Sequence, residues 1–208
     1  SRKRSFVLTV GQFRSYLALL LRRAGGLRRF LRPQVELWVD GAMDFERFPR
    51  DTPLPLLEWG INYALAARLN CHLLLHAGAL ERHGRGLLLP AMPGSGKSTL
   101  TAALSRRGYR LLSDEFGVIR LADRRMLALL RPIALKNESI DVLRALDPTV
   151  SIGPAFPKTR KGTVAHLAPE TKDVEAKLTP VTPHLIVFPQ FDPSSSLELL
   201  PMTGSRAF

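Results

Sequence analysis

The run "PGSGKST", Pro93 to Thr99, constrains this chain more than any other stretch. It follows the apolar "LLLP" and precedes the helix-patterned "LTAALSRRG", so it reads as a loop between a strand and a helix. Gly94 and Gly96 let the backbone bend until successive N–H groups point inward, which makes a nest for an anion. The positive end of the following helix adds to that attraction. Lys97 is spaced to reach β- and γ-phosphates, the Ser98 hydroxyl suits Mg²⁺, and Thr99 offers a further hydroxyl. A glycine-rich turn with a chance lysine seldom meets all these requirements together. The general pattern G-x-x-x-x-G-K-[ST] has glycine where this chain has Ala91. That position eases the entrance turn. The groups that touch phosphate begin after Pro93, whose ring stiffens the loop by fixing φ. Ser95 completes the loop.

Asp114-Glu115 is the second constraint. It lies seventeen residues after Lys97, room for one helix and a return strand, "YRLLS". If that strand lies beside the loop strand, its end carries two carboxylates to the bound phosphates. One can hold Mg²⁺, directly or through water, and the other can accept a proton from an attacking hydroxyl. A turn or cap aspartate is the plainer alternative. His76 closes the preceding apolar stretch "CHLLLH". By itself a lone histidine there is more often a hydrogen-bonded core residue than a catalyst.

Around this centre the chain falls into two parts. Residues 1–53 are a basic N-terminal segment, read as small and α+β, with a packing or substrate-binding role. The apolar run Tyr16 to Leu21 reads as helix, and "PQVELWVDG" as a strand ending at the Asp40-Gly41 turn. Residues 54–208 form the core. Leu56, Leu57, Ile61, Leu65 and Leu69 recur at helical spacing. "CHLLLHAGAL" reads as one strand, "ERHGRG" as a turn, Thr99 to Arg107 as a helix stopped by Gly108, "RPIALKNESIDVLRAL" as an extended segment then a helix, "PKTRKGTVAHL" as a basic turn then a strand, and "HLIVFPQF" as a strand. The sequence ends at Phe208 without a clear capping element, so a further C-terminal segment is expected.

The balance of 30 basic to 18 acidic residues gives a net charge of +12, which favours anionic partners. The excess is clustered at Ser1–Arg4, Arg22–Arg32, Arg106–Arg110 and Lys158–Lys161. Neither zinc-finger spacing nor an aromatic RNA-binding signature accompanies it, so no nucleic-acid partner is inferred. No apolar run reaches the length of a membrane span. The N-terminal stretch has no small-residue cleavage site, so it is not read as a signal peptide. One cysteine, Cys71, excludes an intrachain disulfide, and a reducing, cytoplasmic setting is the simpler expectation.

"LLHAGALERHGRGLLLPAMPGSGKSTLTAALSRRGYRLLSDEFGVI" resembles the catalytic core of bacterial HPr kinase/phosphorylase. "LEWGINY", "PGSGKSTL", "RLLSDE", "RPIALKNESI" and "TRKGTVAHL" together are similar to the HPr-kinase-related group called kinase A, over about Leu54 to Phe188. The resemblance implies an α/β P-loop kinase core of the HPr kinase and phosphoenolpyruvate carboxykinase type, using ATP and Mg²⁺ with a serine acceptor. It implies that Pro93, Gly94, Ser95, Gly96, Lys97, Ser98 and Thr99 hold the triphosphate. Asp114 is then the base toward the acceptor hydroxyl, with Glu115 and Ser98 at the metal. It raises His76 to an active-site histidine. It also carries Lys136 to the phosphates and Glu138 to the metal, both from "LKNES". Arg160 and Lys161 become candidates for clamping phosphate or substrate, against the alternative of a solvated basic turn. Some members of the group phosphorylate a serine of lasso-peptide precursors, which implies a peptide or small-protein substrate. HPr kinases are hexamers, so a homo-oligomer is implied too. The separate N-terminal domain of some HPr kinases has no counterpart here, and no feature points to the reverse phosphorylase reaction. A small-molecule kinase acting on free serine or a sugar precursor shares every phosphate-binding residue. A nucleotide-dependent binding or assembly protein is the remaining alternative.

Overall fold

The computed structural model describes residues 4–10, 15–25, 33–39, 47–50, 53–69, 71–159 and 161–204. Its first element is an antiparallel sheet of β1 (Arg4–Val10), β2 (Ser15–Arg23), β3 (Gln34–Val39) and β4 (Phe48–Pro49), in that order. The helix expected over Tyr16–Leu21 is therefore a strand: Leu20 is in register with Ser5 on one side and Trp38 on the other. Six apolar residues are too few to fix their own period, and pairing on both sides satisfies their backbone groups. Among the described residues of this segment, the regular elements up to Pro49 are strands. The Asp40-Gly41 turn, Arg160 and most of the first two basic clusters lie outside the described residues.

Helix α1 (Pro53–Arg68) serves two cores. Leu56 and Ala64 pack with Val35, Leu37 and Val39 of β3, while Leu65, followed by Leu69, joins Val118, Leu127 and Leu129. Serving both sides leaves the helix without a single apolar stripe.

The expected single strand "CHLLLHAGAL" breaks at His76 into β5 (His72–Leu75) and β6 (Ala77–Arg82), which enter different sheets. There follow β7 (Arg85–Pro90), α2 (Lys97–Ser105), β8 (Arg110–Ser113), β9 (Gly117–Arg120) and β10 (Arg125–Leu127). Next are β11 (Ile133–Lys136), α3 (Glu138–Leu146), β12 (Phe156–Thr159), β13 (Gly162–Leu167), the short α4 (Thr171–Glu175) and β14 (Thr182–Ile186). They build a β10-β9-β5 sheet, a β11-β13-β12 sheet and a central β14-β7-β6-β8 sheet. One apolar core joins the central sheet, α2, α3 and the β11-β13 pair through Leu80, Leu89, Ala102, Leu135 and Leu143. On the other side of the central sheet, Ala77, Leu88 and Leu112 meet Met126 and Val181.

Strand order matters for the site. The strand carrying Asp114, β8, is not beside the loop strand β7; β6 lies between them, antiparallel to both. β7 and β8 thus run in the same direction, and β14 is parallel to β7. Their carboxyl ends and the start of β6 share one end of the sheet. α2 still reaches from β7 across to β8 because Gly78 of β6 has no side chain: a Cβ there would lie 2.2 Å from Thr101 Oγ1. The glycine lets the helix lie flat on the sheet.

Candidate functional site

The loop leaves β7 at Pro90 and enters α2 at Lys97. Gly94 and Gly96 have φ of +89° and +83°, the left-handed region that an L side chain resists. The Ser95 hydroxyl and amide both donate to Met92 O, at 2.7 and 3.2 Å, which closes the turn. The first α-helical bond of α2 is Leu100 N–H to Gly96 O, 2.9 Å. The N–H groups of Lys97, Ser98 and Thr99 therefore precede any intrahelical acceptor and face the loop's concavity. With no acidic residue in the first turn, nothing of the helix's own competes for them.

Lys97 is buried, and its ammonium donates to the main-chain carbonyl of Asp114 at 2.7 Å. This bond ties the loop to the end of β8 across the intervening strand. Asp114 itself is 5% exposed, and its carboxylate oxygens have no well-aligned donor, the Ser98 hydroxyl being the one side chain that reaches toward them. Burial is the main cause that pushes its carboxyl up to about 6; Glu115 adds to the rise, while Lys97, the nearby Ser98 hydroxyl and Lys136 oppose it. A buried carboxylate so poorly supplied with donors is costly, and the Ser98 hydroxyl and neighbouring cations offset only part of the cost.

His76 sits at the bend before β6, at the same end of the sheet because Ala77 pairs with Pro90 and Ala79 with Ser113. Its Nδ1 lies 3.5 Å from Glu115 Oε2. Burial and Lys97 hold its pKa below the ordinary histidine value, with Glu115 pulling the other way, so His76 is neutral near pH 7. Lys136, at the end of β11, is near enough to act on both Asp114 and His76. Of the residues singled out from sequence, the structure thus gathers the loop, Asp114, Glu115, His76 and Lys136.

Glu138 and Lys161 have surroundings of their own. Glu138 is exposed in the first turn of α3, and among the described residues no three His, Cys, Asp or Glu side chains come together as a metal cluster. An acidic residue in a first helical turn is also favoured by the helix dipole. Lys161 lies over the Trp59 ring of α1, 5.0 Å from its centroid, so it belongs to a contact between α1 and the β12–β13 turn.

Arg131 was not singled out from the sequence, yet it is the third cation of the site. It donates to Asn62 Oδ1 of α1, and its Nε is buried with no acceptor. Burial lowers its pKa, while Glu115, Glu58 and Asp114 raise it; a guanidinium stays charged through such a balance. The sequence signal was an arginine between the apolar "LALL" and a proline, inside a segment otherwise read as core. The partner side chains explain "LEWGINY" as well: Glu58 pairs with His166 Nε2 at 3.0 Å, Trp59 meets Phe48 edge-on at 5.3 Å, and Asn62 receives Arg131.

Three cations (Lys97, Lys136, Arg131) thus lie among the carboxylates of Asp114 and Glu115, with Glu58 acting on Arg131 as well. Compared with protein-family models, curated proteins and solved structures, the chain matches none. No helix among the described residues is long and apolar enough to cross a membrane.

Proposed function

We propose that this chain is a phosphotransferase that moves the γ-phosphate of ATP to a hydroxyl, on the serine of a peptide or small protein. The single observation that carries the reading is the Asp114 residue: its carboxylate is buried with no well-aligned donor beside the Ser98 hydroxyl, and its main-chain carbonyl accepts from Lys97 of the glycine loop. Such a group is expensive to keep unless a ligand supplies its partner.

In this reading the amides of the loop and Lys97 hold the phosphates, and Lys136 and Arg131 add positive charge where negative charge builds up. Asp114, poised to lose its proton near pH 6, accepts the proton of the serine hydroxyl as its oxygen attacks phosphorus. The O–P bond to the acceptor forms as the β–γ bridging bond breaks, and ADP leaves. Positioning and charge neutralisation supply most of the rate. Neutral His76 takes the Glu115 side chain as a partner and keeps the second carboxylate fixed. Ser98 and Glu115 would hold Mg²⁺, which ordinarily takes one or two protein oxygens plus substrate phosphates rather than a three-residue cage. When bound it would neutralise phosphate charge. The similarity of the motifs to HPr-kinase-related proteins supports the same assignment, and with it a P-loop kinase core.

The test is transfer of labelled γ-phosphate to serine-containing peptides, with free serine as the competing acceptor. Label on a peptide serine, abolished by Asp114→Asn while ATP still binds, is the expected result. Label confined to free serine would move the substrate to small molecules. Unimpaired transfer in Asp114→Asn would remove Asp114 as the base.

A further inference from the structure

An ordered aromatic side chain at the rim of the loop is used by nothing in the site described so far. After β14 the chain turns back over the loop. Val187 N–H donates to Leu88 O of the loop strand at 2.9 Å, and Phe191 N–H donates to Ser95 O at 3.2 Å. The Phe191 Cβ is so close to Gly96 that a Cβ on that glycine would lie 3.2 Å from it. Immediately beyond, Asp192 gathers the Ser194 amide at 2.8 Å and the Ser194 and Ser195 hydroxyls at 2.7 Å each, which fixes the segment in a turn. Yet Phe191 is 72% exposed. Its backbone is pinned to the phosphate loop while its ring faces water.

We infer that Phe191 is the platform on which the base of the bound nucleotide stacks. The inference rests on the phosphotransferase reading for the presence of a nucleotide, and goes beyond it in assigning the base. The loop accounts for the phosphates alone; a nucleobase has a flat apolar face that gains from burial against a ring, and stacking of this kind is largely indifferent to base identity. A ring tethered at Ser95 and Gly96 is one residue from Lys97, within a nucleotide's length of the phosphates. Pinning the backbone first means that little ordering cost remains on binding.

Calorimetric titration with Mg-ATP and with Mg-tripolyphosphate, which has the phosphates and no base, separates the two contributions. Wild type is expected to bind Mg-ATP at least about tenfold more tightly than Mg-tripolyphosphate, the size of one stacking contact. Phe191→Ala loses that difference, weakening ATP by about tenfold with tripolyphosphate unchanged. Phe191→Trp keeps ATP affinity, and its fluorescence is quenched by ATP but not by tripolyphosphate. Equal weakening of both ligands in Phe191→Ala would overturn the inference, since the ring would then merely shape the loop. So would undiminished ATP affinity, including the case where only the Michaelis constant for the peptide acceptor rises. A wild type that binds neither ligand would overturn the nucleotide reading and this inference together, whereas tripolyphosphate binding without any base contribution would overturn this inference alone.

Discussion

Asp114→Asn separates stability from function at one atom pair. The carboxyl is moved from an ordinary 3.8 to about 6, chiefly by burial. At about 1.4 kcal/mol per tenfold, holding it ionised in the folded protein costs about 3 kcal/mol. The sign follows from proton uptake. Between pH 3.8 and about 6 the folded state holds the proton more tightly than the unfolded chain, so stability falls as pH rises through that window. Above about 6 the full cost is present; below 3.8 both states are protonated and the cost is gone. Asparagine removes the charge but leaves an amide with few partners, which returns about 1–2 kcal/mol of the gain. The nucleotide-free variant should therefore melt about 2–8 °C above wild type at pH 8, a stabilisation of about 1–2 kcal/mol for a chain of this size. The advantage should vanish near pH 5 and reverse by pH 3.8, where wild type has shed nearly all of the charge cost and the variant keeps its amide penalty. Melting curves followed by circular dichroism across that range measure it, with phosphate transfer assayed on the same samples. An asparagine variant that is less stable at pH 8, or shifted equally at every pH, would refute the claim that an unpartnered buried charge is kept there at a cost.

Other expectations follow from the same geometry. The acid limb of kcat/KM for transfer should fall off near pH 6, with activity lost as pH drops and Asp114 gains its proton; a limb near pH 4 would point to a different base. Arg131→Gln takes a cation away from Asp114 and Glu115, so that limb should move to higher pH and transfer should fall by about tenfold or more; an unmoved limb would place Arg131 outside the site. Lys97→Ala loses the ammonium and its bond to Asp114 O, and Mg-ATP affinity, read by calorimetry, should drop by at least about tenfold. Gly78→Ala drives a methyl against Thr101 Oγ1 and should cost about 1–3 kcal/mol in denaturant unfolding, most of it recovered by adding Thr101→Ala.

The bend of the glycine loop was legible because each residue meets a local requirement. Glycines at positive φ, a lysine and two hydroxyls at a helix start need only the loop's own backbone to acquire their meaning. The pair Asp114-Glu115 was legible as a strand end for the same reason. Other features depended on contacts far apart in sequence. "CHLLLHAGAL" is uniformly apolar, and nothing in it says that His76 is where the chain changes sheets; the partners β9 and β7 decide that. Tyr16–Leu21 took its conformation from β1 and β3. Arg131 became part of the site only because α1 lays Asn62 against it, sixty-nine residues away in the chain.

The sequence by itself determined the glycine loop at a helix start and which side chains are equipped for acid, base or cation roles, because those properties belong to residue types at short spacing. The tertiary structure decided which of them meet. It put β6 between the loop strand and the Asp114 strand, bridged the gap over Gly78, brought His76, Lys136 and Arg131 to the carboxylates, and left Glu138 out in solvent. Strand order and sheet pairing are set by burial summed over the whole chain, so no single motif could specify them.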